Sequence, residues 1–209
     1  MDALPFSQAC ENNKAFILEV LLEVFADRRE VLEIASGTGQ HACHFAAGMP
    51  WLRWQPTELA ENLRFLLPRC RAYAGANLLP PVALDVRDPA WPLAIPDALF
   101  SANSLHIMAF AAVEQFFAAL AEQAGPDVTL VVYGPFNYCG KYTSPSNARF
   151  DRWLAQQHPD SAIRDFEAVD RLAAQAGFAL RADHDMPANN RLLVWHKPLR
   201  EQRTPGQVD

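Results

Sequence analysis

Apolar residues recur at helical spacing over 12–25, where Phe16, Ile17, Val20, Leu21, Val24 and Phe25 would share one face of a helix. A shorter apolar run at 31–35 predicts a strand that stops at Ser36-Gly37-Thr38-Gly39, with a helix following over 40–47. The alternation then repeats. Strands are predicted at 53–57, 81–86, 97–103 and 128–133, with helices at 60–73 and 111–123. The run Val128-Thr129-Leu130-Val131-Val132-Tyr133 is almost wholly apolar, as a strand covered on both sheet faces must be. Strand alternating with helix indicates a doubly wound α/β domain.

Beyond 133 the pattern changes. A loop rich in Gly, Ser, Pro and Asn covers 135–147. Ser144-Pro145 reads as the N-cap and first residue of a helix carrying Phe150, Trp153 and Leu154. Another helix, 167–176, is expected to stop at Gly177. Strands at 178–184 and 191–196 flank the turn 186–190 and complete a single domain over 1–198; the polar stretch 199–209 is expected to be a disordered tail.

Composition narrows the function. Half of the 209 residues are hydrophobic, enough for one sizeable core. A net charge of −6 argues against a nucleic-acid partner, which needs a basic face. Cys10, Cys43, Cys70 and Cys139 form no CxxC pair and read as reduced thiols. The start of the chain lacks a basic-then-apolar signal, and no apolar run approaches the ~20 residues of a membrane span, so a cytoplasmic location with no membrane partner is expected.

The chemistry concentrates at the ends of the first three strands. Gly37 and Gly39 sit at a strand-to-helix turn, where bare backbone lets a ligand approach and the helix start offers free amides. Glu33 precedes that turn within the strand and is expected to meet a ligand ammonium. Glu58, after the second strand, has the spacing of a ribose-hydroxyl acceptor, and Asp85, with Val86 beside it, ends the third, where an adenine edge would lie. Ser36 belongs to the same turn, and His41 is expected to contact the cofactor's carboxylate or cap the turn. A dinucleotide is the rival, because Gly37-Thr38-Gly39-Gln40-His41-Ala42 also fits the dinucleotide fingerprint; an anionic Glu33 near a pyrophosphate weighs against it.

These residues belong to a wider match. Val31-Leu32-Glu33-Ile34-Ala35-Ser36-Gly37-Thr38-Gly39-Gln40-His41, Leu84-Asp85-Val86, Tyr133-Gly134-Pro135-Phe136 and Met186-Pro187-Ala188-Asn189-Asn190 are among stretches running from about residue 11 to 197 that resemble the methyltransferase-like family including methyltransferase-like protein twenty-six. The chain departs from that pattern at Asn12, where arginine is expected. The resemblance implies a Rossmann-like class I methyltransferase fold, seven strands mostly parallel with an antiparallel C-terminal strand and helices on both faces. It also implies S-adenosylmethionine as cofactor, and leaves the acceptor open.

At the end of the fourth strand, Asn103 is placed at the acceptor site and against the cofactor. It begins like the Asn-Pro-Pro-Tyr motif of amino-group methyltransferases but lacks the prolines and the aromatic ring. His106 is the candidate general base. Asn13, Tyr133, Asn147, Arg164 and Asn190 are candidates for binding a small-molecule substrate, although Arg164-Asp165 also reads as a structural ion pair. His41, Cys43 and His44 lack a second ligand pair nearby in sequence, and no metal site is expected. Methyl transfer to a small acceptor is the leading reading. The alternatives are a non-catalytic S-adenosylmethionine-binding or protein-interaction module on the same fold, and an NAD-dependent oxidoreductase.

Overall fold

The computed structural model describes residues 4–199. The chain opens with α1 (Gln8–Val24), whose first turn is capped by the Ser7 hydroxyl accepting from the Cys10 amide at 3.4 Å. There follow β1 (Glu30–Ile34), α2 (Gln40–Gly48), β2 (Arg53–Glu58), α3 (Leu63–Ala72), β3 (Val82–Ala83), β4 (Ala98–Ala102), α4 (Phe110–Gln123) and β5 (Val128–Gly134). The remainder supplies β6 (Phe136–Asn137), α5 (Pro145–Gln157), β7 (Arg164–Asp165), α6 (Phe166–Gln175), β8 (Ala179–Met186) and β9 (Asn190–Lys197). Seven strands form one sheet in the order β3-β2-β1-β4-β5-β9-β8. The first five are parallel, and β9 enters antiparallel between β5 and β8. This is the Rossmann-like methyltransferase sheet, with β6 and β7 pairing separately.

Side-chain alternation along the strands builds the layers. Leu32, Ile34, Leu99, Leu130, Val132, Leu193 and Trp195 face α4 and α6, packing on Val113, Phe116, Phe117, Leu120, Val169 and Ala173. Val31, Phe100, Val131, Tyr133, Leu192 and Val194 face α1 and α2, packing on Ile17, Leu21, Phe25, Ala42 and Phe45. On this face Phe45, Trp54 and Phe100 meet with centroids 5.3–5.9 Å apart. Each such ring buries surface worth about 1.5–3 kcal/mol. Strand order reverses between β1 and β4, so their carboxyl ends part into a crevice, the position where open α/β sheets bind ligands.

Four expectations change. The third strand shrinks to Val82–Ala83, and Asp85 and Val86 lie in the turn beyond it, because Asp85 folds back to accept from the Arg87 amide at 2.9 Å. On the face expected of α1, Ile17, Leu21 and Phe25 are buried and Val20 and Val24 pack half-buried against the same core, while Phe16 turns out, 46% exposed. The loop after β5 contains β6, and its capped helix starts at Pro145 as Ser144-Pro145 indicates, with the Ser144 hydroxyl accepting from the Asn147 amide at 3.1 Å. Arg164 and Asp165 are not an ion pair. Adjacent strand residues point to opposite faces, so Arg164 turns inward and Asp165 outward. The expected tail, 199–209, lies after its first residue outside the described residues. No helix among the described residues is long and apolar enough to cross a membrane.

Candidate functional site

The turn between β1 and α2 is built on left-handed backbone. Ala35, Gly37 and Gly39 have φ of 58°, 56° and 75°. At Gly37 an added Cβ would meet nothing within 4 Å, so the backbone faces open space. At Gly39 it would come 2.9 Å from Leu66 Cδ1, so the turn packs tightly on α3. Ser36 is buried and serves as a strut: its amide donates to Thr57 O at 2.8 Å, and its hydroxyl accepts from the Thr57 amide at 3.2 Å. Glu58 completes the frame, accepting from the amides of Gly37 at 2.8 Å and Leu59 at 2.9 Å. The carboxylate therefore ties the glycine turn to the end of β2 and keeps lone pairs free toward the crevice.

A cavity of about 720 Å³ opens in front of this frame. Of the residues expected to hold a cofactor, Glu58, Asp85, Val86 and Asn103 line it. Asp85 is paired with Arg87, whose guanidinium holds its carboxyl below the usual carboxylate range. The wall also includes Ile107, Met108, His158 and Asp160, which sequence reasoning missed. Their segments, just after β4 and just after α5, reach the crevice only through tertiary packing. The one local hint was the break at His158-Pro159-Asp160.

Asn103 also lines a second cavity of about 390 Å³, so it stands between the two. It adopts φ 55°, a left-handed conformation that asparagine tolerates better than most residues, and its amide donates to Tyr133 O at 2.8 Å. Asn13, Tyr133, Asn147 and Asn190, all expected near an acceptor, line this second cavity together with Asn12, Phe150 and Asn189. His106 sits behind Asn103, its ring edge-to-face with Phe150 at 5.5 Å. A Cβ on Gly134 would lie 3.5 Å from His106 Nδ1 and 4.0 Å from Asn103 Oδ1, so these three residues are neighbours. Burial, and then the Arg164 guanidinium, push the His106 imidazole down to about 4. It is neutral at physiological pH.

Ser36, Gly37, Gly39 and His106, though close by, line neither cavity, and three further expected residues stand elsewhere. Arg164 is buried away from both cavities and donates to the carbonyls of Leu105 and Asp160 at 2.9 and 2.8 Å and to that of Met108. It fastens the segment after β4 and does not reach the substrate space. His41 is turned inward: it stacks on Phe45 at 5.2 Å, and its Nε2 lies 2.7 Å from Asn13 Oδ1. Burial pushes it down to about 4. Glu33 shares the parity of Val31, so its side chain points to the α1–α2 face beneath the turn, where Trp54 Nε1 donates to it at 2.8 Å. Burial pushes its carboxyl up to about 7.

Several solved structures share this fold. An O-methyltransferase family protein from Burkholderia thailandensis superposes with a TM-score of 0.75 at 17% identity, over 90% of this chain and 57% of that one. The S-adenosylmethionine-dependent methyltransferase SibL gives 0.76 at 17% identity, over 91% and 56%. An O-methyltransferase family 2 protein from Planctomyces limnophilus, solved in complex with apigenin, gives 0.68 at 16% identity, over 88% and 61%. The chain thus spans less than two thirds of the length of these neighbours, and at such identities the likeness is one of fold. At the level of sequence, the model of the family described as protein of unknown function DUF938 matches residues 4–197, and the chain belongs to that family.

Proposed function

We propose that this chain is an S-adenosylmethionine-dependent methyltransferase that acts on a small-molecule acceptor, and that it is kin to the family including methyltransferase-like protein twenty-six. One observation carries the reading. Two cavities, one bounded by Ala35, Glu58 and Asp85 and one beside Tyr133, meet at a single residue, Asn103, on the carboxyl edge of the sheet. That is what transfer between a cofactor and a second molecule requires. The residues present fit the cofactor: Gly37 faces open space, Glu58 presents a carboxylate already aligned by two amides, and the cavity is of cofactor size.

When bound, the cofactor supplies a methyl group activated on a sulfonium, whose departing thioether is neutral and needs no acid. Glu58 would accept from the ribose hydroxyls, Asp85 would accept from the adenine amine, and Val86 would offer the ring an apolar neighbour. Glu33 acts from beneath the turn, where its charge, once ionised, favours an ammonium above Ala35. Asn103 aligns the acceptor at the junction, and alignment supplies most of the rate. His106, neutral and behind Asn103, lines neither cavity, so it would take the acceptor's proton only through an intervening water.

The test is calorimetric titration with S-adenosylmethionine, S-adenosylhomocysteine and NAD, repeated on Glu58→Gln. Micromolar binding of both sulfur compounds, weakened at least tenfold by the substitution and absent for NAD, is expected. Binding of NAD alone would replace the reading with an oxidoreductase. Cofactor binding without label transfer from S-adenosyl-[methyl-³H]methionine to extract metabolites would favour a non-catalytic module.

A further inference from the structure

The second cavity has an unusual lining. Six of the chain's nine asparagines (Asn12, Asn13, Asn103, Asn147, Asn189 and Asn190) border it. Among the described residues no Lys, Arg, Asp, Glu or His does, and Tyr133 is its one titratable group. The carboxamides come from α1, the end of β4, α5 and the β8–β9 connection, so no local repeat explains their gathering.

Their orientations are set by the residues behind them. His41 Nε2 meets Asn13 Oδ1 at 2.7 Å, which, with the imidazole N–H donating, leaves the Asn13 amide nitrogen as a donor. Asn190 is held by its own amide nitrogen, which donates to Pro187 O at 3.1 Å. The Tyr133 hydroxyl stands beside the Asn13 and Asn190 carboxamides. Burial pushes this phenol up, so it stays a neutral donor. Asn147 is fixed in the opposite sense to Asn13. Its nitrogen donates to Thr143 Oγ1 at 2.9 Å and to Asn189 O at 3.0 Å, leaving Oδ1 as an acceptor. Ala188 and Asn189 hold left-handed φ of 59° and 58° at the hairpin tip beside the cavity, a strain that persists where surroundings enforce it. The wall is thus a preset array of neutral donors and acceptors.

Such an array has a selectivity that follows from solvation. A neutral hydroxyl or carboxamide entering it exchanges water for matched hydrogen bonds at small net cost. A carboxylate or phosphate loses its hydration and finds no cation. Arg164, the buried guanidinium that touches the neighbouring 105–108 segment, commits its Nε and Nη2 to backbone carbonyls and lines neither cavity. The chain's net charge of −6 adds to the exclusion of anions.

We infer that the second cavity takes an uncharged small molecule carrying both hydrogen-bond donors and acceptors, and that it rejects anions. As the class of methyl acceptor, this rests on the transferase reading above. The ligand preference itself is measurable without turnover.

Saturation-transfer NMR on the purified chain with 4-hydroxybenzamide against 4-hydroxybenzoate, and benzamide against benzoate, tests it. The amides are expected to bind at least tenfold more tightly than the acids. Asn12 is exposed on α1 at the cavity rim, so Asn12→Arg places a cation there without disturbing the core, and it is expected to gain binding of the acids. Acids that bind the unsubstituted chain as well as the amides, no binding by either amide, or no gain by Asn12→Arg would each overturn the inference. A parallel titration with S-adenosylhomocysteine separates the two readings. An amide preference in a chain that ignores S-adenosylhomocysteine would retire the transferase and leave the cavity's ligand class standing.

Discussion

Glu33 is buried against Trp54, and its carboxyl is pushed up from its ordinary value of 4.5 to about 7, chiefly by burial. In the unfolded chain the same group ionises near 4.5. Between these values the folded protein holds one more proton than the unfolded one. The stability Glu33 contributes is therefore fully present below 4.5 and is lost as pH rises through 7. At 1.36 kcal/mol per pH unit the loss amounts to about 3 kcal/mol. Glu33→Gln keeps the shape and an oxygen for Trp54 Nε1 but cannot ionise. His41 and His106 titrate in the opposite sense. Each is pushed down to about 4 from 6.5, so their contribution is lost as pH falls from 6.5 through 4. Subtracting the variant's curve from that of the unsubstituted protein cancels both histidines. Urea unfolding of the two proteins at pH 5, 6, 7 and 8, without cofactor, gives the difference directly. The variant should match the parent near pH 5 and be the more stable by about 3 kcal/mol at pH 8. A difference that stays constant within ~0.5 kcal/mol over this range would refute the reasoning.

Gly39→Ala imposes a left-handed alanine and drives its Cβ against Leu66, so a loss of about 1–2 kcal/mol is expected, read as a melting temperature lower by roughly 2–8 °C. Arg164→Met leaves three carbonyls near the crevice without their donor; an unfolding free energy lower by about 2–4 kcal/mol is expected, and an unchanged value would show that water replaces the guanidinium. If His106 accepts the proton, transfer rates should stay flat from pH 7.5 down to about 5.5 and fall only toward 4, whereas an ordinary histidine would give a fall near 6.5. His106→Gln should lower the rate by about 10²-fold at unchanged cofactor affinity.

The sheet and its helices were readable because each strand is an apolar run and each helix a stripe, and both signals are local. The glycine turn and Glu58 were readable in position for the same reason, since they sit at fixed places relative to those runs, whereas Asp85 lies in the turn beyond a shorter third strand. What escaped depends on facing. The position of Glu33 was evident, but its side-chain direction follows from counting parity along a strand whose covering helices must be known. His41 and Arg164 carry polar chemistry that the fold spends internally, on Asn13 and on backbone carbonyls, and sequence alone does not separate a spent donor from a free one. Asn189 and Phe150 reach the second cavity from segments about 40 residues apart, a distance no short pattern spans.

The position of β9 has a consequence for the order in which the molecule can be completed. All seven residues of β5 are buried, yet the strand has one parallel neighbour, β4, until residues 190–197 arrive to pair along its other side. During synthesis β5 therefore waits with an open apolar edge while more than fifty further residues are added. Such an edge is a template for pairing between chains. The hairpin tip that borders the second cavity is also the fold point that delivers β9. The apolar edge of β5 is covered by the same late step that finishes the site.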